Sequence, residues 1–197
     1  MHLLILGLLI VLSSAEWDVL VMWNRTFHGG YGGDQGYSIT KSDDGGYVIV
    51  GWSWRNNGAN VWVIKIDANG NHVWNRTFHG GYGGDRGSSI VKSDDGGYVI
   101  VGGSYQGTTN RDGVWVIKID ANGNHVWNRT FHGGYGSDVG HSVIKSDDGG
   151  YVIVGWSYQG TTNGADIWVI KIDANGNHVW NRTFHGGYGW DYGSSII

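Results

Sequence analysis

The sequence repeats itself, and this repetition limits the folds open to the chain more than any other feature does. The string WNRTFHGGYG begins at Trp23, Trp74, Trp127 and Trp180, which places successive copies 51, 53 and 53 residues apart. A period of about this length is typical of solenoids, propellers and other arrays in which each unit packs against its neighbours. The first question is therefore which structural unit repeats.

Each period consists of short apolar runs separated by turn sequences, and none of these runs keeps a helical periodicity. In the first copy, residues 47–50 are continuously apolar, as in a strand buried on both faces, whereas residues 61–67 alternate. Asp-Asp-Gly-Gly at 43–46 and Asn-Gly at 69–70 supply the residues that tight hairpins need. The first copy is therefore predicted to form four antiparallel strands, at about 36–42, 46–53, 61–67 and 71–78.

Four short strands per ~40–50 residues make up one blade of a β-propeller. We predict an all-β fold of four-stranded antiparallel blades at about 36–78, 87–131 and 140–184. An outer-type strand at 17–27 and the start of an inner-type strand at 193–197 are left over, which gives about three and a half blades. Closed propellers have ~4–8 blades. Either copies associate, or the chain is a segment of a longer array, or the sheets stack openly; we favour self-association through the terminal strands, because unpaired edges attract other strands.

The string DGGYVIVG…VWVIKIDANGNHVWNRTFHGG resembles the tandem propeller repeats of archaeal and bacterial secreted or cell-surface proteins. It is also distantly similar to the tryptophan-docked blades of quinoprotein-type propellers, in which a D-x-x-G-x-x-x-W turn leads into the outer strand. The resemblance covers residues 17–197. Quinoprotein dehydrogenases hold their quinone with a vicinal cysteine pair, and this sequence has no Cys. The resemblance therefore implies the blade and not the enzyme.

The blade assignment also predicts which tryptophans are buried. The outer strand of each blade should meet the neighbouring blade. We therefore expect the tryptophans of the three internal outer strands to be largely buried at these interfaces: Trp74, Trp127 and Trp180.

The first fifteen residues differ from the repeats. The apolar run from Leu3 to Leu12 is too short for a bilayer, which requires ~20 apolar residues in a helix. Ser13-Ser14-Ala15 then offers the small residues of a cleavage site before Glu16. We predict a signal peptide at 1–15, the repeat array at 16–197, no transmembrane span, and a secreted or cell-surface location. A buried first strand, or a start codon inside a longer gene, is the alternative interpretation of the segment.

The composition and the similarity of the copies favour a binding or structural role. Lys and Arg number 13 against 17 Asp and Glu, so there is no excess positive charge to bind nucleic acid. Near-identical copies repeat one chemistry in every blade, whereas an active site needs different residues converging on one point. We predict a non-enzymatic scaffold or adhesion module without a cofactor. The alternative is a self-assembling extracellular filament or surface layer, and a propeller enzyme is the least favoured function.

The places where the copies differ are the candidate binding sites. The loops around residues 54–60, 105–113 and 158–166 vary, and loops on a rigid scaffold commonly carry binding residues. Aromatic side chains at the start of these loops could stack on sugar rings, which makes the candidate glycan-binding residues Trp54, Tyr105 and Tyr158. A second divergent position lies just before the first strand of each unit, at Gln35, Arg86, Val139 and Tyr192.

Two further sets of residues follow from the repeat. Each copy carries an Asn-Arg-Thr sequon, so the candidate N-glycosylation sites are Asn24, Asn75, Asn128 and Asn181. Each copy also has a His six residues before an Asp, beginning with His28 and Asp34. These residue types can ligate a metal. One His per blade puts neighbouring copies too far apart to share an ion, so we expect an Asp that caps a turn and no metal site.

Overall fold

The computed structural model describes residues 3–10, 19–30, 32–56, 58–105, 111–158, 164–187 and 189–197, with side chains from Trp23 onward. These residues form fourteen β-strands and no helix. In particular, no helix within the described ranges is long and apolar enough to cross a membrane.

Three sheets of four antiparallel strands form the body of the chain, each with its strands in sequence order. The first blade consists of β3 (Asp34–Lys41), β4 (Tyr47–Arg55), β5 (Gly58–Ile66) and β6 (His72–Phe78). The second blade consists of β7 (Arg86–Lys92), β8 (Tyr98–Tyr105), β9 (Asp112–Ile119) and β10 (His125–Phe131). The third blade consists of β11 (Asp138–Lys145), β12 (Tyr151–Ser157), β13 (Asp166–Ile172) and β14 (His178–Phe184).

The predicted all-β fold with four-stranded antiparallel blades is confirmed. The chain is a propeller-like repeat protein whose described sheets form an open array rather than a closed ring. The sheets begin one or two residues before the predicted blade starts, because the residues ahead of the first glycine already pair with the second strand. Asp34 pairs with Ser53, and Asp138 pairs with Ser157.

The blades pack face to face through apolar side chains. Val50 and Val63 of the first blade are fully buried against Ile100 and Ile117 of the second. The second and third blades form an equivalent cluster, in which Val101 and Val116 meet Ile153 and Ile170. On the opposite face of the third blade, which no other described sheet covers, the equivalent Val152, Ile167 and Val169 are partly exposed.

Two of the three tryptophans predicted to be largely buried, Trp74 and Trp127, are partly buried and pack on a glycine of the next blade. Trp74 lies over Gly123 and Trp127 over Gly176, so closely that a Cβ on either glycine would come within 3 Å of the ring. Trp23 of β2 lies over Gly70 in the same way. Trp180 is 38% exposed. The expectation that Trp180 is buried is therefore wrong, because no following blade in the described chain presents a glycine to it.

The first two strands reproduce the outer half of a blade. β1 (Leu3–Ile10) pairs with β2 (Val19–Phe27), and Leu3 opposes Phe27 as Val61 opposes Phe78 in the first blade. The register shift after Gly7 falls where β5 shifts after Lys65. The segment predicted as a signal peptide thus has the place of a third blade strand. Its cleavage remains a prediction.

The last residues follow the course of an inner strand without pairing as one. Gly193 donates a backbone hydrogen bond to Gly155 O, and Ile196 donates one to Ser142 Oγ, at 3.3 Å in both cases. Ile90 and Val143 of the inner strands β7 and β11 donate the same bond to serines of the preceding blade. Residues 193–197 are therefore placed like a fourth inner strand, although none of them has strand pairing.

Candidate functional site

The inner strands of the blades share the pattern Asp-x-Gly-x-Ser. The four copies read DQGYS, DRGSS, DVGHS and DYGSS, beginning at Asp34, Asp85, Asp138 and Asp191. The aspartate, glycine and serine are constant, whereas the residues between them differ. The constant residues hold the inner strand in place, and the variable residues give each blade a different chemical surface.

The aspartate anchors the loop that enters the blade. Asp85 accepts hydrogen bonds from Gly80 N at 2.8 Å and Ser104 Oγ at 2.5 Å, and His79 Nδ1 lies 3.1 Å from its carboxylate. In the third blade, burial raises the pKa of Asp138, although hydrogen bonds from Ser157 and Gly133 favour its charged form. The expected turn cap is therefore present, and it belongs to the scaffold.

The glycine and serine set the spacing between blades. A Cβ on Gly87 would lie 2.5 Å from Val50 Cγ2, and one on Gly140 would lie 2.7 Å from Val101 Cγ2. Only glycine allows so close an approach of the inner strand to the preceding blade. The serine hydroxyl then accepts the backbone N–H of the next inner strand, as Ser38 does from Ile90.

The residue between the glycine and the serine forms a β-bulge in the inner strand. Gly36 pairs with Gly51 and Ser38 with Val50, so Tyr37 is the extra residue of the strand. The same register shift makes Ser88 and His141 the extra residues of β7 and β11. A bulge redirects a side chain out of the regular alternation of the strand. Here it brings the divergent side chains to the inner edge of the array.

These side chains line a groove of about 500 Å³ at the inner edge, which we call the inner-edge groove. Ligand pockets generally measure ~300–1,000 Å³. All three blades and the last residues contribute to it. Its lining includes Tyr37, Arg86, Ser88, Gly103, Asp112, Val139, His141, Ser194 and Ser195.

The width of the groove depends on pairs of side chains. One member of each pair precedes the glycine of an inner strand, and the other lies on the second strand of the preceding blade. Arg86 lies over the ring of Trp52, with its guanidinium carbon 6.0 Å from the ring centroid. The equivalent pair at the last blade is Tyr192 against Trp156, with ring centroids 5.9 Å apart. Between the second and third blades the pair is Val139 and Gly103. The groove is open at this boundary because both of its residues are small.

The groove contains few charges, and they are of opposite sign. Burial raises the pKa of Asp112, the nearby Arg86 acts in the opposite direction, and Asp85 raises it further. Burial lowers the pKa of His141, which keeps its imidazole neutral at pH 7. One cation and one carboxyl group therefore face a surface otherwise made of hydroxyl groups, the neutral His141, Val139 and glycines.

Comparison with known proteins identifies no family for this chain. No model of a known protein family matches the chain, and no curated protein matches it. Solved structures similar to it include the crystal structure of an ACO/RPE65 chimera, at 10% sequence identity and a TM-score of 0.45. The match covers 78% of this chain and 40% of that one, so this chain spans less than half the length of the chimera.

The predicted rim aromatics lie on separate blades and do not line the groove. Trp54 is half exposed, and Gly32 of the entering loop approaches its Cβ. Tyr105 contacts Tyr82 edge-on at 6.3 Å. Tyr158 lies 6.1 Å from Trp190, between ring centroids. The structure thus holds each of them against the entering loop of its own or the following unit, and their role in ligand binding remains a prediction.

The sequon asparagines are all exposed on the outer strands. Asn128 Oδ1 accepts a hydrogen bond from Trp115 Nε1 at 3.4 Å, and its Nδ2 lies 2.9 Å from His125 Nε2. Asn181 makes the same two contacts with Trp168 and His178. These contacts give the asparagines a structural role whether or not they carry glycans. Glycosylation of Asn24, Asn75, Asn128 and Asn181 stays a prediction.

Among the described residues, one His–Asp set gathers three potential metal ligands. His185 Nδ1 lies 2.9 Å from Asp166 and 3.9 Å from Asp191, and one ligand atom from each residue fits within 4.8 Å. Gly113 takes the place of Asp166 in the second blade and lies against His132. The third copy therefore differs from the others by one added carboxylate at an exposed loop.

The sequence shows that one of the two rows diverges, but the binding residues predicted from it were the rim aromatics and not the residues of the groove. The row of Gln35, Arg86 and Val139 was recognised from its variation. The bulged row of Tyr37, Ser88 and His141 varies just as much, and the string DxGxS contained the necessary signal. The β-bulge itself could not be predicted from the sequence, because a bulge is recognised only when the pairing of both strands is known.

Proposed function

We propose that this chain is a non-enzymatic binding module, exported to the cell surface or the medium, whose ligand occupies the inner-edge groove. The observation that carries the proposal is where the copies differ. Apart from the loops that begin at Trp54, Tyr105 and Tyr158, the repeats diverge mainly at the two rows that line the groove, with Tyr37, Ser88 and His141 in one and Arg86 and Val139 in the other. A scaffold held constant around a variable surface is the usual arrangement of a binding protein.

The contacts of His28 and His79 give these two histidines a structural role. His28 and His79 lie within 3.1 Å of the capping aspartates, and their hydrogen bonds hold the loops between blades. A catalytic base must instead face a substrate within hydrogen-bond reach. The export part of the proposal rests on the apolar segment before Glu16 and its small-residue cleavage motif.

A ligand screen tests this function. A ligand that binds only the folded state raises the melting temperature. We expect compounds from a mixed library of sugars, amino acids, short peptides and organic acids to stabilise the wild-type chain. The stabilisation should disappear in Gly103→Trp, which fills the groove with the residue that blades one and three carry at the same place. Hits that act equally on both proteins, or turnover of a hit, would contradict the proposal.

A second candidate function, self-assembly, is favoured by the open face of the third blade. Val152, Ile167 and Val169 are partly exposed there, and Phe184 is 54% exposed at the outer strand. The equivalent valines of blades one and two are buried: Val48, Val61, Val63, Val99, Val114 and Val116. In blades one and two this apolar face packs against the next blade of the same chain. The equivalent face of the third blade is open and is suited to contact with another molecule. We propose a second copy of this chain as its occupant.

A further inference from the structure

The inner-edge groove offers hydrogen-bonding groups of complementary kinds. Arg86 can only donate hydrogen bonds, and an ionised Asp112 can only accept them. The hydroxyl groups of Ser88 and Ser194 can do both, whereas the Tyr37 hydroxyl, which donates its proton to Gln35 Oε1, can only accept. A ligand that satisfies this surface must therefore supply donors and acceptors close together. Neighbouring hydroxyl groups on one carbon skeleton do so, because each of them donates one hydrogen bond and accepts others.

The charge of the groove selects against ions. Arg86 and Asp112 balance each other, and His141 is neutral at pH 7 because burial lowers its pKa. A phosphate or a free carboxylate would be attracted by Arg86 and repelled by Asp112. A neutral polar ligand meets both groups without this conflict.

Aromatic surface is available beside these polar groups. Tyr37 is 52% exposed and lines the groove. Its hydroxyl donates to Gln35 Oε1 at 2.7 Å, and Trp52 Nε1 donates to the same oxygen at 3.1 Å, which fixes both rings. A ring fixed in this way can pack against the apolar face of a ligand at little entropic cost, because its rotamer is already restricted.

From these three observations we infer that the inner-edge groove binds a neutral polyhydroxylated ligand, namely an uncharged sugar of one or two rings. Arg86 and Asp112 hold adjacent hydroxyl groups of the sugar, and Tyr37 packs against its ring. The gap between Gly103 and Val139 admits it. This inference rests on the proposed binding function and moves the sugar site from the rim aromatics to the inner edge.

Titration calorimetry with defined probes tests the inference. The uncharged probes are glucose, galactose, mannose, N-acetylglucosamine, lactose and cellobiose, and the charged probes are glucuronate, glutamate and inorganic phosphate. We expect at least one uncharged sugar to bind the wild-type chain. Its dissociation constant should rise at least tenfold in Gly103→Trp and at least fivefold in Arg86→Gln and Asp112→Asn. Val126→Ala, at an exposed outer-strand position away from the groove, is the control and should bind as the wild type does, and Tyr158→Ala tests the rim aromatics as the alternative site.

Both groove variants are expected to fold, so that a loss of binding can be assigned to the groove. The three atoms nearest to a Cβ on Gly103 all belong to Val139, the first at 3.4 Å, which is an ordinary contact. Should Gly103→Trp nevertheless unfold, Arg86→Gln decides, because Arg86 is exposed. Sugar binding that survives both Gly103→Trp and Arg86→Gln would overturn the inference, as would loss of binding only in Tyr158→Ala. Binding of charged probes alone would overturn the ligand class and leave the groove as a binding site. Binding of no compound here or in the mixed-library screen would overturn the proposed function as well.

Discussion

The indole of Trp127 covers Gly176, joining the outer strand of the second blade to a turn of the third. A Cβ on Gly176 would lie 2.8 Å from Cζ3 of the ring, and the backbone φ of +80° at this glycine already disfavours other residues. The turn Asp-Ala-Asn-Gly-Asn thus has two roles. It closes a hairpin within its own blade, and it receives the tryptophan of the preceding one.

This relationship predicts different costs for equivalent tryptophans. Trp127→Ala removes a packed ring between two blades and should lower the unfolding free energy by about 3 kcal/mol, in the range for large core truncations. Trp180→Ala removes a ring with no glycine partner and should cost less than about 1 kcal/mol, as most surface substitutions do. Urea denaturation of both variants measures the difference. Equal losses would contradict the docking of blades through this pair.

The buried lysines predict how stability depends on pH. Lys118 is buried and donates to Asp95 Oδ1 at 2.9 Å, and Asp95 also accepts from Ser93 Oγ and Gly97 N. Partial burial alone would raise the pKa of Asp95, but these hydrogen bonds lower it from 3.8 to about 2. Because the folded-state pKa is lowered, the stabilisation is complete above pH 4 and is lost as the pH falls towards 2.

Asp95→Asn should therefore reduce stability at pH 7 by about 1 kcal/mol, which is below the usual value of a hydrogen bond to a charged group because solvent screens the partly exposed carboxylate. It should also flatten the decline between pH 4 and pH 2. Asp147→Asn, in the equivalent turn of the third blade, where the buried Lys171 binds the neighbouring Asp148 instead, is the control and should leave both quantities unchanged. Thermal melts across this pH range provide the measurement. An unaltered pH profile in Asp95→Asn would show that the ion pair does not stabilise the blade.

The open face of the third blade predicts self-association. Multi-angle light scattering of the wild-type chain should give a mass above the 21.5 kDa of one copy. Val169→Lys places a charge on the apolar face and should return the mass to that of a monomer. Val179→Lys, at an exposed outer-strand position, should behave like the wild type. A wild-type protein that stays monomeric at high concentration would contradict the assembly.

The apolar first segment predicts processing. Protein exported by its native host should begin at Glu16, and intact-mass analysis determines this directly. Cleavage would remove β1 and leave β2 without the strand that it pairs with in the described chain. Detection of Met1 on most molecules would instead favour β1 as a permanent blade strand.

The repeated sequence by itself determined the structural unit of this fold, which is the four-stranded blade. Four strands per period follow from the alternation of apolar runs with Asp-Gly and Asn-Gly turns, because these patterns act over a few residues and need no distant partner. Buried Lys118 and Lys171 were harder to anticipate. Their burial depends on carboxylates in another turn of the same blade, about 23 residues earlier in the sequence, and only the paired sheet brings those groups together.

The relations between blades could be decided only by the tertiary structure. Trp127 and Trp180 occupy identical sequence contexts, yet one is covered and the other exposed, because another blade packs against Trp127 and none in the described chain packs against Trp180. Tyr37, Ser88 and His141 reach one groove because a bulge in each inner strand turns them to the same edge. The sequence determined the residues that vary, and the packing of three blades side by side determined that they vary on one surface.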